Sequence, residues 1–326
     1  MSGSRWLGGL VLLVAAAALF AVFRPAPPEA IPVTFTSSTQ CGACHAKAYG
    51  EWEHSWHARA WTDPDVRALS NDFANTDCID CHAPRPLFET GVAERVLPRS
   101  ARRSEGVDCI ACHALPGPGG HVAGTVDRTD VACRPKLVAE LASPEFCAPC
   151  HDQHQTVEQW RATRYAAQGI GCIDCHMPFR DGDPVRGRDH TLSGGHDIEL
   201  VRRAVVLAAR RAAGRVRVTV ENVGAGHHFP TDERSRAADV FWRPLEPEPG
   251  PWRWLYRFRS PYRDELGVTD TLLPAHETRE IVLEDPAAAG ALEVALFYKL
   301  TPYGSDPEHP DPEREAHLVH RVRVQP

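Results

Sequence analysis

Apolar and polar residues alternate along several short segments of the last third of the chain. Residues 215–221 read RVRVTVE, aromatic residues alternate with arginines over 252–259, and residues 292–300 and 318–324 continue the pattern. A period of two, interrupted by Pro- and Gly-containing turns, predicts antiparallel strands. We therefore predict a β-sandwich over residues 203–326, with residues 204–213 as a strand that turns back at Gly214 and with the aromatic run in the core.

Residues 38–202 show a different pattern. Helical spacing is limited to two stretches, Ala46–Trp61 and Thr156–Gln168, and the remainder reads as loop. Apolar side chains are too sparse for an ordinary hydrophobic core, so another material must fill the interior. The whole chain is predicted to be α+β, with a loop- and helix-rich domain followed by an antiparallel β-sandwich.

The N-terminus carries an uncharged apolar run, Leu7–Phe23, followed by a Pro-rich linker over 24–37. Seventeen residues lie at the lower limit for crossing a bilayer, so residues 1–23 are either a signal peptide or a retained membrane anchor. We favour the anchor, because no convincing cleavage site follows the run. Either alternative predicts a periplasmic or otherwise extracytoplasmic protein, which the anchor would hold at the inner membrane.

The motif Cys-x-x-Cys-His occurs five times within the predicted first domain. This motif is typical of covalent haem c attachment: the two thiols reach the vinyl groups of one porphyrin, and the histidine binds its iron. We therefore predict five haems c, and the porphyrins themselves as the core of residues 38–202. The motifs are Cys41-Cys44-His45, Cys78-Cys81-His82, Cys109-Cys112-His113, Cys147-Cys150-His151 and Cys172-Cys175-His176.

Other uses of paired cysteines explain these motifs less well. Zinc sites combine two such pairs, so five pairs leave one over, and zinc does not require a histidine after every second cysteine. Thioredoxin-like chemistry needs a single pair on a βαβ unit, and structural disulfides leave the five histidines unexplained. Cys133, the eleventh cysteine, is interpreted as a buried thiol, with a reactive or intersubunit role as the alternative. The net charge of −7 gives no reason to expect nucleic acid as a partner.

The second axial ligands should be histidines as well. Of the two methionines, Met1 lies in the export segment and Met177 directly follows a motif histidine, whereas the seventeen histidines leave twelve beyond the motifs. Bis-histidine ligation lacks the methionine sulfur that raises the potential, so we expect low-potential haems. His276, His309, His317 and His320 read as ordinary surface or strand positions.

Several short motifs together resemble the multihaem c-type cytochromes related to nitrite reductase, hydroxylamine oxidoreductase and their tetrahaem electron carriers. They are Ser55-Trp56-His57-Ala58, GVDCIACH followed by GPGGH, CIDCHMP followed by DHTLSGGHD, and NVGAGHHFPT over 222–231. The resemblance covers about residues 38–326. It implies that the five distal ligands are His57, His121, His190, His196 and His227. His154 is the main alternative to them.

The pair His227-His228 lies between glycines and Pro230, well beyond the last motif. The resemblance implies that His227 reaches from the β-sandwich into the haem domain, on a loop that Gly224 and Gly226 allow to approach closely. The alternative is an ordinary hairpin loop with histidines facing solvent.

These features predict electron transfer between redox partner proteins or membrane electron donors, with no catalytic residue assigned. The alternative is a multihaem oxidoreductase that acts on nitrite or hydroxylamine at one open haem, with His54, His154 or His228 as acid or base. In the family that the chain resembles, dedicated nitrite reductases carry a lysine in place of the motif histidine at the catalytic haem. No CxxCK motif occurs in this chain. A further alternative is a homo-oligomeric haem wire, in which a neighbouring chain donates a distal histidine.

Overall fold

The structure, a computed structural model, describes residues 34–326 apart from 153–154, 232–235, 262–264, 266, 268, 286–287 and 301–310. Leu7–Phe23, His154 and His309 therefore lie outside the described residues. Within the described ranges, no helix is long and apolar enough to cross a membrane. Short helices and loops form the first half and antiparallel sheets form the second, which confirms the α+β fold.

The first half is built from short helices. Two further helices belong with the second half: one leads into it and one lies within it. The α-helices are α1 (Ser38–Gly42), α2 (Ala46–Glu53), α3 (Trp56–Arg59), α4 (Pro64–Leu69), α5 (Asp77–His82), α6 (Cys109–His113), α7 (Pro144–His151), α8 (Thr156–Arg161), α9 (Arg164–Ala167), α10 (Cys172–His176), α11 (Ile198–Ala204), which leads into the second half, and α12 (Pro312–Glu315), which lies within it. Single 3₁₀ turns cover Leu87–Glu89, Arg103–Glu105, Ala139–Ala142, Arg180–Gly182 and Pro184–Arg186.

Both helices predicted from the sequence are broken in the middle. The first is divided into α2 and α3 because Ser55 has an extended backbone, and its hydroxyl accepts a hydrogen bond from the Ala58 amide at 3.2 Å. A serine that caps a new helix in this way ends the preceding one. The second is divided into α8 and α9 at Thr163, which is also extended.

The second half contains two antiparallel sheets, with strand orders β3-β4-β7 and β6-β5-β8-β9. A parallel pair, β1 and β2, lies in the first half. The predicted hairpin is present: β3 and β4 pair from Val205 opposite Asn222 to Ala212 opposite Arg215, and Ala213 and Gly214 turn with positive φ. The strands are β1 (Val122–Gly124), β2 (Pro135–Leu137), β3 (Val205–Ala212), β4 (Arg215–Asn222), β5 (Ala237–Pro244), β6 (Arg253–Phe258), β7 (Thr278–Leu283), β8 (Leu292–Lys299) and β9 (His317–Val324).

One apolar cluster fills the space between the two sheets. Val218, Val240, Phe258 and Leu296, each without exposed surface, lie in it. The aromatic run of β6 does not all enter this core. The β5–β6 pairing shifts register by one residue, so that Trp254 lies opposite Phe241 and remains 55% exposed. The prediction of four core aromatics was wrong at Trp252 and Trp254, because a bulge at Leu255 turns the side chains that precede it to the other face of the sheet, where Trp252 packs on Phe241 and Phe297.

Apolar packing in the first half is confined to small groups. One contains Leu87, Val96, Ala111 and Phe146, and another contains Phe73, Ile79 and Ala83. Cysteines of the repeated motifs line both groups. The motif cysteines therefore lie in the interior of the first half, at the position that apolar side chains occupy in an ordinary domain.

Candidate haem-binding site

Each repeated motif is associated with a short helix. Helices α5, α6, α7 and α10 end at the motif histidines His82, His113, His151 and His176, while His45 is the N-cap of α2. In one turn of helix, cysteines three residues apart lie on the same side. For α6 the turn begins at the buried Asp108, whose carboxylate accepts a hydrogen bond from the Ala111 amide at 2.7 Å.

The motifs lie next to one another although they are far apart in the sequence. The thiols of Cys41 and Cys109 lie close enough that the Cys109 thiol raises the pKa of Cys41, which joins the first and third motifs. In the same way, the fourth motif meets the fifth through Cys147 and Cys172. It also meets the second motif, because the thiol of Cys150 lies next to that of Cys81. Cys112 of the third motif and Cys150 of the fourth pack against the same apolar cluster, so that the attachment cysteines form one continuous group.

Three of the predicted distal histidines face motif histidines. The ring centroids of His57 and His151 lie 5.9 Å apart with nearly perpendicular planes. The rings of His113 and His190 are separated by 6.4 Å and inclined by 32°. Those of His176 and His227 lie 6.3 Å apart and nearly parallel, at 10°.

These separations fit an iron between the two rings. An imidazole nitrogen binds a transition metal at about 2 Å, so two imidazoles on opposite sides of one metal place their centroids about 6 Å apart. Stacked rings in direct contact lie closer, as Trp56 and His196 do at 3.5 Å. The donor set of paired imidazoles beside cysteine pairs is also the one that haem c requires. The residues present therefore fit haem c.

Backbone carbonyls fix the tautomer of many of these histidines. When Nδ1 donates to a carbonyl, the lone pair is on Nε2, and the ring is oriented for a metal on that side. Such Nδ1–carbonyl contacts, 2.6–3.0 Å long, are made by His54, His82, His113, His121, His176, His190 and His227.

Removal from water favours the neutral form of four of the paired rings. Desolvation lowers the pKa of His57 to about 3 and that of His227 to about 4. Desolvation also lowers the pKa of His113 and His190 below the ordinary value. Neutral imidazole is the form that binds a metal, so these four rings are in the state that ligation needs.

The loop that carries His227 leaves the end of β4. The Asn222 amide donates to the carbonyls of His227 at 2.9 Å and Leu273 at 3.1 Å, and its oxygen accepts from the Ala225 amide. A Cβ at Gly224 would lie 2.5 Å from the Arg203 carbonyl oxygen, so this position needs glycine for the close backbone approach that its sequence predicted. The loop thus carries a β-sandwich residue to a histidine of the fifth motif.

The remaining predicted ligands have other surroundings. His121 lines a small cavity with Phe35 and Leu115, and its Nδ1 donates to the Arg134 carbonyl at 3.0 Å. His196 stacks on Trp56, and the Nη2 of Arg236 lies 2.8 Å from its Nε2. A guanidinium donates to the lone pair that a metal would use, so His196 would have to turn to bind iron. His45 and His82 are the histidines of the first two motifs, and the ligands on the opposite side of their haems stay predictions.

Other histidines contribute to the structure without facing a motif. His320 points its Nε2 at the carbonyls of Arg202 and Val205, which ties β9 to the start of β3. His54 is exposed at the end of α2, and the His228 amide donates to Gln159 at 3.1 Å. His276 packs its ring against Tyr165.

Sequence reasoning missed the residues that support the ligands. Glu51 and Arg180 hold the segment before His190, and Arg236 and Trp56 enclose His196. The carbonyl partners of the imidazoles were not predictable either, because they depend on how the loops close. A glutamate two turns into a helix and an arginine in a loop give no local indication of such a role.

Comparisons with known proteins agree with this arrangement. The family model described as "Cytochrome c554 and c-prime" matches residues 40–114, which contain the first three motifs. An uncharacterized protein of Archaeoglobus fulgidus is 24% identical over 197 residues, 53% of this chain and 52% of that protein. The chain thus spans about half the length of this curated relative.

A solved structure shares the fold over most of the chain. The penta-heme cytochrome c552 of Thermochromatium tepidum aligns with a TM-score of 0.62 and 20% identity, covering 88% of this chain and 98% of that one. Together with the five attachment motifs, these matches show a multihaem c-type cytochrome whose cofactor is haem c.

Proposed function

We propose that this protein transfers electrons through five covalently attached haems, most of them with two histidine ligands. The observation that carries the proposal is the set of three facing pairs, His57–His151, His113–His190 and His176–His227. Haem supplies one-electron redox chemistry when bound, and imidazoles on both faces leave no position for a substrate. The histidines thus favour electron transfer over catalysis.

The grouping of the motifs supports the same function. Contacts between thiols join the first motif to the third, the second to the fourth and the fourth to the fifth. Cys112 of the third motif also acts electrostatically on cysteines of the fourth. Each attachment site therefore has a neighbour, which is what electron transfer between successive haems requires.

The finer parts of the proposal come from the sequence. The resemblance supplies His121 and His196 as distal ligands for the remaining motifs and relates the chain to the nitrite reductase and hydroxylamine oxidoreductase superfamily. We place the protein outside the cytoplasm, because covalent haem motifs follow the apolar run Leu7–Phe23, which would export it or anchor it in the inner membrane. Its partners would be redox proteins or membrane electron donors.

Low-temperature EPR of the purified protein, combined with a redox titration, tests the proposal. We expect low-spin ferric signals for at least three haems and low potentials. A high-spin ferric signal that shifts when nitrite or hydroxylamine is added would contradict electron transfer and support catalysis at an open haem.

A pair of adjacent substitutions tests the ligand assignment. His227→Ala should convert one of the five haems to high spin, because the ring facing His176 is removed. His228→Ala is the matched control, because the hydrogen bonds of His228 come from its backbone: the carbonyl accepts from Nδ1 of His227, and the amide donates to Gln159. A spectrum left unchanged by His227→Ala would remove this residue from the ligand set.

A further inference from the structure

The ring of His190 is held by a loop and not by a helix. The segment from Phe179 to Arg188 folds back on itself: these two residues pair as an isolated bridge, and the Asp189 amide donates to the Pro178 carbonyl at 2.9 Å. The Nδ1 of His190 lies 2.9 Å from the Arg188 carbonyl. The ring can face His113 only if this loop keeps its position relative to the third motif.

An ion pair from another part of the chain holds that loop. Glu51, in α2, lies 2.7 Å through Oε1 from Nε of Arg180 and 2.5 Å through Oε2 from Nη2. The same Oε2 accepts a hydrogen bond from the His190 backbone amide at 3.0 Å. One carboxylate therefore joins the helix that follows the first motif to the residue that faces the third.

The surroundings make this contact stronger than an ordinary surface pair. The side chains of Glu51 and Arg180 are 14% and 11% exposed. Bidentate, charge-assisted hydrogen bonds that are shielded from water are among the strong ones, and removal of one partner leaves the other charge uncompensated. Arg180 also donates to the Arg186 carbonyl at 2.7 Å, so a displaced guanidinium would disturb the loop itself.

We propose that Glu51 and Arg180 are positioning residues that keep the imidazole of His190 directed at the iron of the third motif. The proposal rests on the proposed function, since it takes His190 as the ligand opposite His113. It assigns to residues outside every haem motif a role in maintaining bis-histidine ligation.

EPR and visible spectra of variants of the full-length haem-loaded protein test this role. His190→Ala should convert one of the five haems to high spin, which establishes the reference amplitude. Glu51→Gln and Glu51→Ala should each give at least half of that amplitude, and added imidazole should restore the low-spin spectrum by filling the position that His190 has left. Arg180→Gln should act in the same direction.

Glu53→Gln is the matched control. Glu53 lies in the same helix but is exposed, and its carboxylate accepts a hydrogen bond from the Tyr49 hydroxyl at 3.3 Å, far from His190 in the chain. The spectrum of the Glu53→Gln variant should therefore not change. If Glu51→Gln and Glu51→Ala keep a low-spin spectrum while His190→Ala does not, the positioning role is refuted and the ligand stands. If His190→Ala itself stays low-spin, the ligand assignment fails, and the positioning role fails with it. A high-spin signal that imidazole does not reverse would indicate general loosening of the fold and would also overturn the proposal.

Discussion

The two regions of this molecule obtain their interiors in different ways. In residues 205–326, two sheets enclose an apolar cluster that includes Val218, Phe258 and Leu296. In residues 34–204, the apolar clusters contain only four and three buried residues, and motif cysteines lie at their margins. The second region has the core of an ordinary domain, whereas the first has attachment sites where its core would be. A cofactor can thus stabilise one half of a chain while side chains stabilise the other.

The largest expected effect follows from withholding haem. A full-length chain produced without haem attachment should lose most ordered structure in residues 38–202 and keep it in 203–326, because only the second region buries enough apolar surface by itself. Hydrogen exchange followed by mass spectrometry would resolve the two regions, with the haem-loaded protein as the control. Equal protection of both regions without haem would contradict the comparison.

A substitution in the sandwich core should have a smaller effect, and this effect should fall on the second region and spare the first. Leu296→Ala removes a side chain with no exposed surface and should lower the free energy of unfolding by about 3 kcal/mol. The haems should stay attached, since their bonds lie in the other region. Denaturant titrations followed by far-ultraviolet circular dichroism would measure the change.

The matched control for this core substitution is Val206→Ala in β3. Its side chain is 46% exposed, so the free energy of unfolding should change by less than about 0.5 kcal/mol. If the two variants lost similar stability, the apolar cluster between the sheets would not be the main source of stability of the second region.

Local patterns predicted the second region better than the first. The β3–β4 hairpin followed from strict alternation and Gly214, but the register shift in β6 that exposes Trp254 did not, because a bulge is a property of the strand pair. The fold class was confirmed as a whole.

For the candidate site, the motif residues were predictable because one short segment contains all the chemistry of attachment. The distal histidines are different, because each faces a motif that is distant in sequence: His57 lies opposite His151, and His227 opposite His176. Only the resemblance to a known family selected them from twelve candidates. It could not reveal that Arg236 approaches Nε2 of His196, because this contact is formed when the sandwich packs on the first region.

The smallest expected effect concerns a polar contact that replaces apolar packing in the first region. Ser55 is 3% exposed and caps α3, the four-residue helix that contains His57. Ser55→Ala should lower stability by about 1 kcal/mol, because the Ala58 amide loses its acceptor. The substitution Ser37→Ala, at the half-buried cap of α1, is the control for loss of a cap away from a facing histidine. Thermal unfolding would measure both variants, and EPR would show whether Ser55→Ala alone adds a high-spin component from the haem that His57 faces. If both variants lost equal stability and neither changed spin state, the cap would stabilise its helix without helping to place His57. The local polar contacts of the first region would then be separable from its haem ligation.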